Sequence, residues 1–427
     1  MKDTRIRKLM LGATGSLALT GMFIGACGGD DDTPKSTPAV QTQAATTAPG
    51  GAASPTGGAA ATLATDSGAA NLRALLTAQL QEHVYLAGTA TGAALGGRAE
   101  EFAAAGKSLD ANSVDLSKSI ESVYGADAGK AFLDLWRKHI GFFVDYTTGK
   151  ATNDTAKVEK ARTDLDGYRA DFGAFIASAN PNLPKQAVAD ELKPHVETLF
   201  AAIDAQAAKD PAAFDKLRAA AAHMPHTAET LAGGIAKQFP DKFKGNVSGP
   251  GSALRSGLTA QLQEHVFLAG TATGAALGGR NDEFMAAAKA LDANSVDLSK
   301  SIESVYGADA GKAFLDLWRK HIGFFVDYTT GKATKDDAKV EKARKDLDGY
   351  RADFGAFIAS ANPNLPKQAV ADELTPHVAT LFAAIDAQAA KDPTAFDKLR
   401  LAASHMPHTA NTLAGGITKQ FPQKFGS

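Results

Sequence analysis

One cysteine, two tryptophans and almost no charge imbalance define this chain by what they exclude. A lone cysteine cannot form an intramolecular disulfide, so no covalent staple holds the fold. Lys and Arg number 45 against 47 Asp and Glu, a net charge of −2, and there is no basic stripe. The electrostatic footprint of a nucleic-acid binder is missing, and no nucleic-acid partner is expected. Beyond the N-terminal region no stretch is long and apolar enough to span a bilayer. Ile, Val and Tyr are scarce beside Ala and Leu, which disfavours strands and favours helices. The sequence also lacks GxSxG, HExxH, a phosphate loop and a dinucleotide fingerprint. Its many Asp/Glu pairs and the run Lys157–Arg162 read as solvated helix faces. Gly92, Gly96 and Gly97 read as helix-end glycines rather than a phosphate cradle.

What is present is the same domain twice. Leu72 to Phe243 reappears as Leu254 to Phe425 at a constant offset of 182 positions. The copies align without a gap, at roughly nine identical positions in ten, so each is a complete structural unit. The matching residues reflect shared ancestry and are not independent evidence of importance. The expected organisation is a lipoprotein signal peptide over 1–26, a lipidated Cys27 and flexible linker over 27–70, repeat one over 71–243, a Gly/Pro linker over 244–253, and repeat two over 254–427. Whether the two repeats touch is open at this level, and the linker would permit independent motion.

Cys27 explains itself by position. Lys2, Arg5, Arg7 and Lys8 form a positive segment, Leu9 to Ala26 a mostly apolar one, and Ile24-Gly25-Ala26-Cys27 resembles the bacterial lipobox. The implied anchor is a diacylated Cys27 with a further N-acyl chain, enough lipid to hold the protein stably at the extracytoplasmic face of the cell membrane. The alternative is an ordinary signal peptide or short membrane helix with an incidental cysteine. Gly28 to about Gly68 is rich in Ala, Thr, Gly, Pro and Ser and is expected to be a tether.

Within repeat one the periodicity predicts six helices. They run about Asn71–Leu95, Glu100–Val123 (with a break near Asn112-Ser113), Asp127–Thr148, Thr155–Ala179, Pro184–Ala208, and from Asp210-Pro211 to about Gln238. Short connections make neighbours antiparallel, so the fold class is all-α: two tandem antiparallel helical bundles.

The candidate site is a set of histidines. All ten lie in the repeats, five in each. His139 is in phase with the apolar stripe Phe132, Leu135, Trp136, Phe142, Phe143 and Tyr146. His83 follows Leu72, Leu76 and Leu80, and His195 follows Val188 and Leu192. Trp136 and Trp318 read as core anchors on that stripe. His83, His139, His195 and His223 each sit near the middle of a helix. In an antiparallel bundle mid-points share one height, so four imidazoles can meet in one layer, as bundle metal sites do. Pro194 and Pro225 fall at that level and would kink their helices. His223 and His226, at i and i+3, could chelate one ion, with Met224 available as a thioether. The ligand set is thus His83, His139, His195, His223, Met224 and His226, with His265, His321, His377, His405, Met406 and His408 in the second repeat. Imidazole with thioether favours a copper ion, then zinc or iron. Haem held by His/His or His/Met is a further possibility, although the covalent CxxCH motif is absent. Glu82, Asp145 and Tyr146 are candidates to orient the ligands. The plain alternative is a structural polar layer in which buried histidines satisfy one another.

The segments EHVYLAG, SVYGADAGKAFLDLWRKHIGFFVDY, SANPNL, Pro194-His195-Val196 and HMPHTAETLAGGIAKQFP together resemble a helical domain of secreted bacterial proteins often labelled "copper amine oxidase". The resemblance covers both repeats nearly end to end. It implies that His83, His139, His195 and His223-Met224, with His265, His321, His377 and His405-Met406, stand at family positions. His226 and His408 depart from the pattern, which often has Met there. The resemblance implies the fold and copper, not amine oxidation: the quinone cofactor of such oxidases arises from Tyr in an Asn-Tyr context within a β-rich fold, and no Asn-Tyr pair occurs here. The expectation is metal binding, storage or delivery, with an envelope or metal-delivery partner. An interaction or spacer module of the cell envelope is the second reading, and an enzyme with an open metal position the third.

Overall fold

The computed structural model describes residues 62–426, so the signal segment, Cys27 and most of the tether lie outside the described residues. Within them the protein is all-helical, in two similar halves. After a 3-10 turn at Ala64–Asp66, repeat one contains α1 (Gly68–Leu95), α2 (Ala99–Tyr124), α3 (Ala126–Thr152), α4 (Thr155–Ala179), α5 (Lys185–Ala207), α6 (Ala213–Ala222) and α7 (Met224–Gln238). Repeat two follows with α8 (Pro250–Leu277), α9 (Asn281–Tyr306), α10 (Ala308–Thr334), α11 (Asp337–Ala361), α12 (Lys367–Ala389), α13 (Ala395–Ser404), α14 (Met406–Gln420) and a final turn α15 (Pro422–Phe425).

The stops obey local chemistry. A single residue, Gly125 at φ +91°, joins α2 to α3; that left-handed conformation suits a residue without a Cβ. Asp154 caps α4 by accepting from the Lys157 backbone N–H at 3.0 Å. The expected break at Asn112-Ser113 does not occur. Both side chains are buried inside an unbroken α2. The Asn112 amide donates to the Gln79 carbonyl of α1 at 3.0 Å, and the Ser113 hydroxyl bonds the Leu109 carbonyl, so these polar groups tie α2 in place instead of ending it.

The expected sixth helix is two helices. Pro225 has no N–H to give the Ala221 carbonyl, and the chain turns at His223 between α6 and α7. Pro194, by contrast, is accommodated inside a continuous α5. Asp210 caps a turn, accepting from the Ala212 N–H at 2.8 Å, and the helix begins at Ala213.

The core centres on α1. It packs against α2, α3, α5, α6 and α7 of its own repeat and against α8 of the other. Gly88 permits the approach of α6: a Cβ there would sit 2.5 Å from Leu217 Cδ1. Thr65, Ala69 and Ala70 are buried, so the folded body starts before Asn71. The inter-repeat linker is also engaged. Val247 is buried and its carbonyl accepts from Arg73 at 2.9 Å, and α8 already starts at Pro250.

The repeats dock through an isologous face, in which each contact recurs with the copies exchanged. Tyr85 stacks on its own equivalent, Phe267, with centroids 5.5 Å apart and 11° between the planes. Arg400 of α13 pairs with Glu82 of α1 and, at 2.9 Å, with Asp115 of α2. Reciprocally, Arg218 of α6 pairs with Glu264 of α8 and, at 2.8 Å, with Asp297 of α9. Glu82 is nearly inaccessible, and burial drives its carboxyl pKa up while Arg400 opposes the shift. Removing one partner from such a pair strands the other charge in the interface. We therefore expect Arg400→Ala to lower the unfolding free energy by about 3 kcal/mol, read by urea denaturation, while Lys130→Ala, which deletes an exposed pair with Asp134, leaves the midpoint in place.

Candidate metal centre

Each repeat buries three histidines at one point. His83 comes from α1, His139 from α3 and His195 from α5, and each is at most 6% exposed. One nitrogen from each ring lies within 4.8 Å of the other two, and the second repeat repeats the arrangement with His265, His321 and His377. The Nε2 atoms of His83 and His139 are 3.3 Å apart, as are those of His265 and His321. An ion bonded to imidazole nitrogens at roughly 2.0 Å places them about 3.3–3.5 Å apart, so one edge of the triangle already has a ligand spacing. These two triads could each hold a metal ion.

Aromatic rings wall the triad. Trp136 lies edge-on to His139 at 4.5 Å and 4.9 Å from His83. Tyr168 stacks on His139 at 5.0 Å, and Phe143 stands 6.2 Å from the same ring. Water is excluded, and the charged form of each imidazole is penalised. Burial is the main reason that His139 is pulled down to about 3, with repulsion from His195 adding and the Trp136 backbone carbonyl opposing. Burial likewise brings His195 to about 4, helped by His223. His83 is depressed furthest, by burial and then by His139 and His195. The second repeat reproduces all three effects. At neutral pH the rings are unprotonated and offer lone pairs.

The site is also short of partners. His83 Nδ1, His139 Nδ1, His195 Nδ1, Trp136 Nε1 and the Tyr168 hydroxyl are buried without a well-formed hydrogen bond. Native interiors leave few such groups, and each costs about 1–3 kcal/mol. The Nδ1 atoms of His83 and His139 lie on the side of their rings away from the converging Nε2 atoms, so a cation held at Nε2 would still leave each Nδ1–H in need of an acceptor.

The fourth histidine of the expected layer stands apart. His223, at the α6–α7 break, directs Nε2 to the Glu191 carbonyl at 3.1 Å and to Glu191 Oε1 at 3.1 Å. His226 is 64% exposed, with Nε2 3.4 Å from Glu191 Oε2. Pro225 is the cause: by dividing the helix it turns this segment toward α5 instead of continuing the layer. Met224 is buried in the apolar core, as is Met406. In repeat two His408 Nε2 lies 3.2 Å from Glu373, and His405 occupies the equivalent break between α13 and α14. The expected four-histidine layer is therefore a buried triad plus an outer pair.

The orienting residues also differ from expectation. Glu82 pairs with Arg400 across the repeat interface, Asp145 with Lys157 at 2.8 Å, and the Tyr146 hydroxyl donates to Asp204 at 2.8 Å. Neighbours in sequence on a helix point to different faces, so Glu82 turns away from the triad that His83 completes. Glu191 was not singled out by sequence, although it sits one turn before His195 and behind Pro194, where an i, i+4 search from the histidine would have found it.

The depressed pKa values set a pH dependence with a definite sign. Unfolded histidine titrates near 6.5. The triads' contribution to stability is fully present above that pH and is lost as pH falls toward the folded values of about 4 and about 3. The melting temperature of the metal-free protein should drop steeply from pH 6.5 to pH 4. Replacing His139 and His321 with Gln should flatten the drop, and a wild-type profile already level over that range would contradict the assignment.

Comparison with protein-family models, with curated proteins and with solved structures finds no match, so the functional reading rests on the chemistry of the two triads.

Proposed function

We propose that this protein is a lipid-anchored extracytoplasmic lipoprotein whose two triads each bind one copper ion, for storage or delivery rather than turnover. The observation that carries the reading is the convergence of three neutral, buried imidazoles on one point in each repeat.

The donor set argues for the singly charged ion. No carboxylate is among the triad's converging ligands, so nothing negative offsets a cation there. The desolvation cost of an ion scales with the square of its charge, and a monovalent ion is held at about a quarter of the cost of a divalent one. Copper(I) accepts imidazole and three-coordinate geometry; zinc, which three imidazoles also suit, would take a fourth ligand. Haem is disfavoured by volume. The Nε2 atoms of His83 and His139 are 3.3 Å apart and the rings of Trp136, Tyr168 and Phe143 close in around them, while sites for ligands of that size usually enclose about 300–1,000 Å³.

Lipid attachment at Cys27 and the resemblance to the helical "copper amine oxidase"-labelled domains support an envelope location and copper as cargo. No helix among the described residues is long and apolar enough to cross a membrane. A structural polar layer is the second reading, favoured by the mutual contact of His83 and His139.

Anaerobic copper(I) titration of the wild type should load two ions per chain and raise the melting temperature. The variant His139→Ala/His321→Ala should bind neither ion tightly. Equal metal content and equal melting temperature in the two proteins would end the copper reading. Separately, Cys27→Ser should move the protein from the membrane to the soluble fraction on cell fractionation.

A further inference from the structure

The outer histidines are not idle surface groups. Glu191 is only 13% exposed, yet both its oxygens are used. Oε1 meets His223 Nε2 at 3.1 Å and accepts from the Thr227 hydroxyl at 2.9 Å; Oε2 faces His226 Nε2 at 3.4 Å. The cluster spans the burial gradient: His226 is 64% exposed, His223 22% and Glu191 13%, and His195, inside, is 6% exposed. Glu191 and His195 lie four residues apart on α5, about 6 Å along the axis and on one face. His223 is near enough to His195 for its charge to bear on that ring. Glu191 and His223 thus stand between the exposed His226 and the buried His195 in this gradient. The other flanks of the triad are closed by Trp136, Tyr168 and Phe143.

We propose that Glu191, His226 and His223 form an outer station that captures a copper ion from solvent and hands it through His195 to the buried triad, and that Glu373, His408 and His405 do the same for the second triad. The proposal rests on the copper-binding reading above. The carboxylate belongs at the mouth and not in the triad: a negative charge there draws a cation from water, while in the dry interior it would hold the ion back. His223 sits at the break between α6 and α7 with its ring only partly buried. Thr227, one turn into α7, keeps the carboxylate aimed at the two rings. Repeat two keeps Glu373, His405 and His408 in the chain; there Glu373 Oε1 faces His408 Nε2 at 3.2 Å and accepts from the hydroxyl of Thr412, at a different position from Thr227, at 3.2 Å.

The test is the rate of uptake set against its end point, using the full chain and copper(I) delivered from a coloured chelator. In Glu191→Gln/Glu373→Gln and in His226→Ala/His408→Ala, uptake should slow by about tenfold or more, with two ions per chain still bound at long times. His226 and His408 are exposed, so that second variant retains its fold and keeps the test decisive. Wild-type uptake rates in both variants would overturn the outer station while leaving copper binding intact. A wild type that takes up no copper at all would overturn both readings.

Discussion

Three imidazoles kept neutral inside an apolar bundle are the constraint around which each repeat is arranged. A buried imidazole has one donor and one acceptor to satisfy, and carbon neighbours supply neither. The surrounding helices answer with packing instead: Trp136, Phe143 and Tyr168 press on the rings, and their burial offsets the polar shortfall. The same packing keeps protons off the nitrogens, because the charged form would lie in a low dielectric beside two more rings. Low basicity, unsatisfied nitrogens and dry walls are thus three results of one arrangement.

Much of the fold was legible because its signals are local. Apolar residues at helical spacing gave the helices, and residues such as Gly125 and Asn180 gave their ends. The bounds of α4 came out at Thr155–Ala179 as expected. The phase of His83, His139 and His195 within their stripes put them inside. The fourth histidine shows where that reasoning stops. The equal-height argument treats each helix as a continuous rod, and Pro225 breaks the rod one residue before His226. Pro194 lies as deep within a helix and does not break it. Local sequence does not distinguish the two prolines. Glu82 is a similar case. Adjacency to His83 in sequence suggested a partner for the ring, but side chains on a helix diverge by about 100° per residue, and its partner is an arginine 318 positions away.

The repeat interface was hidden for a different reason. In α1 apolar side chains are distributed all around the axis, so no single face announces itself, and such a helix must be covered on every side. The segment Val84-Tyr85-Leu86 is buried throughout, with Tyr85 against the other repeat. Alignment of the copies reveals the duplication but carries no information on which face pairs with which. That followed only once Arg400 met Glu82 and Arg218 met Glu264 in reciprocal fashion.

This geometry ties each triad to the interface between the repeats. His83 projects from a helix enclosed by its own bundle and clamped from behind by the second repeat, through the residue immediately before it. The grip is mutual, since Arg218 holds Glu264 next to His265. Each copy therefore fixes the helix that carries the other's first triad histidine, and separating them would expose Tyr85, Phe267 and two half-paired carboxylates together. His223, across the site, stands at a helix break with a part-exposed ring. Were a triad to hold an ion, its ligands would need a preorganised wall that does not relax when desolvated, and the duplicated interface supplies such a wall behind His83 and His265.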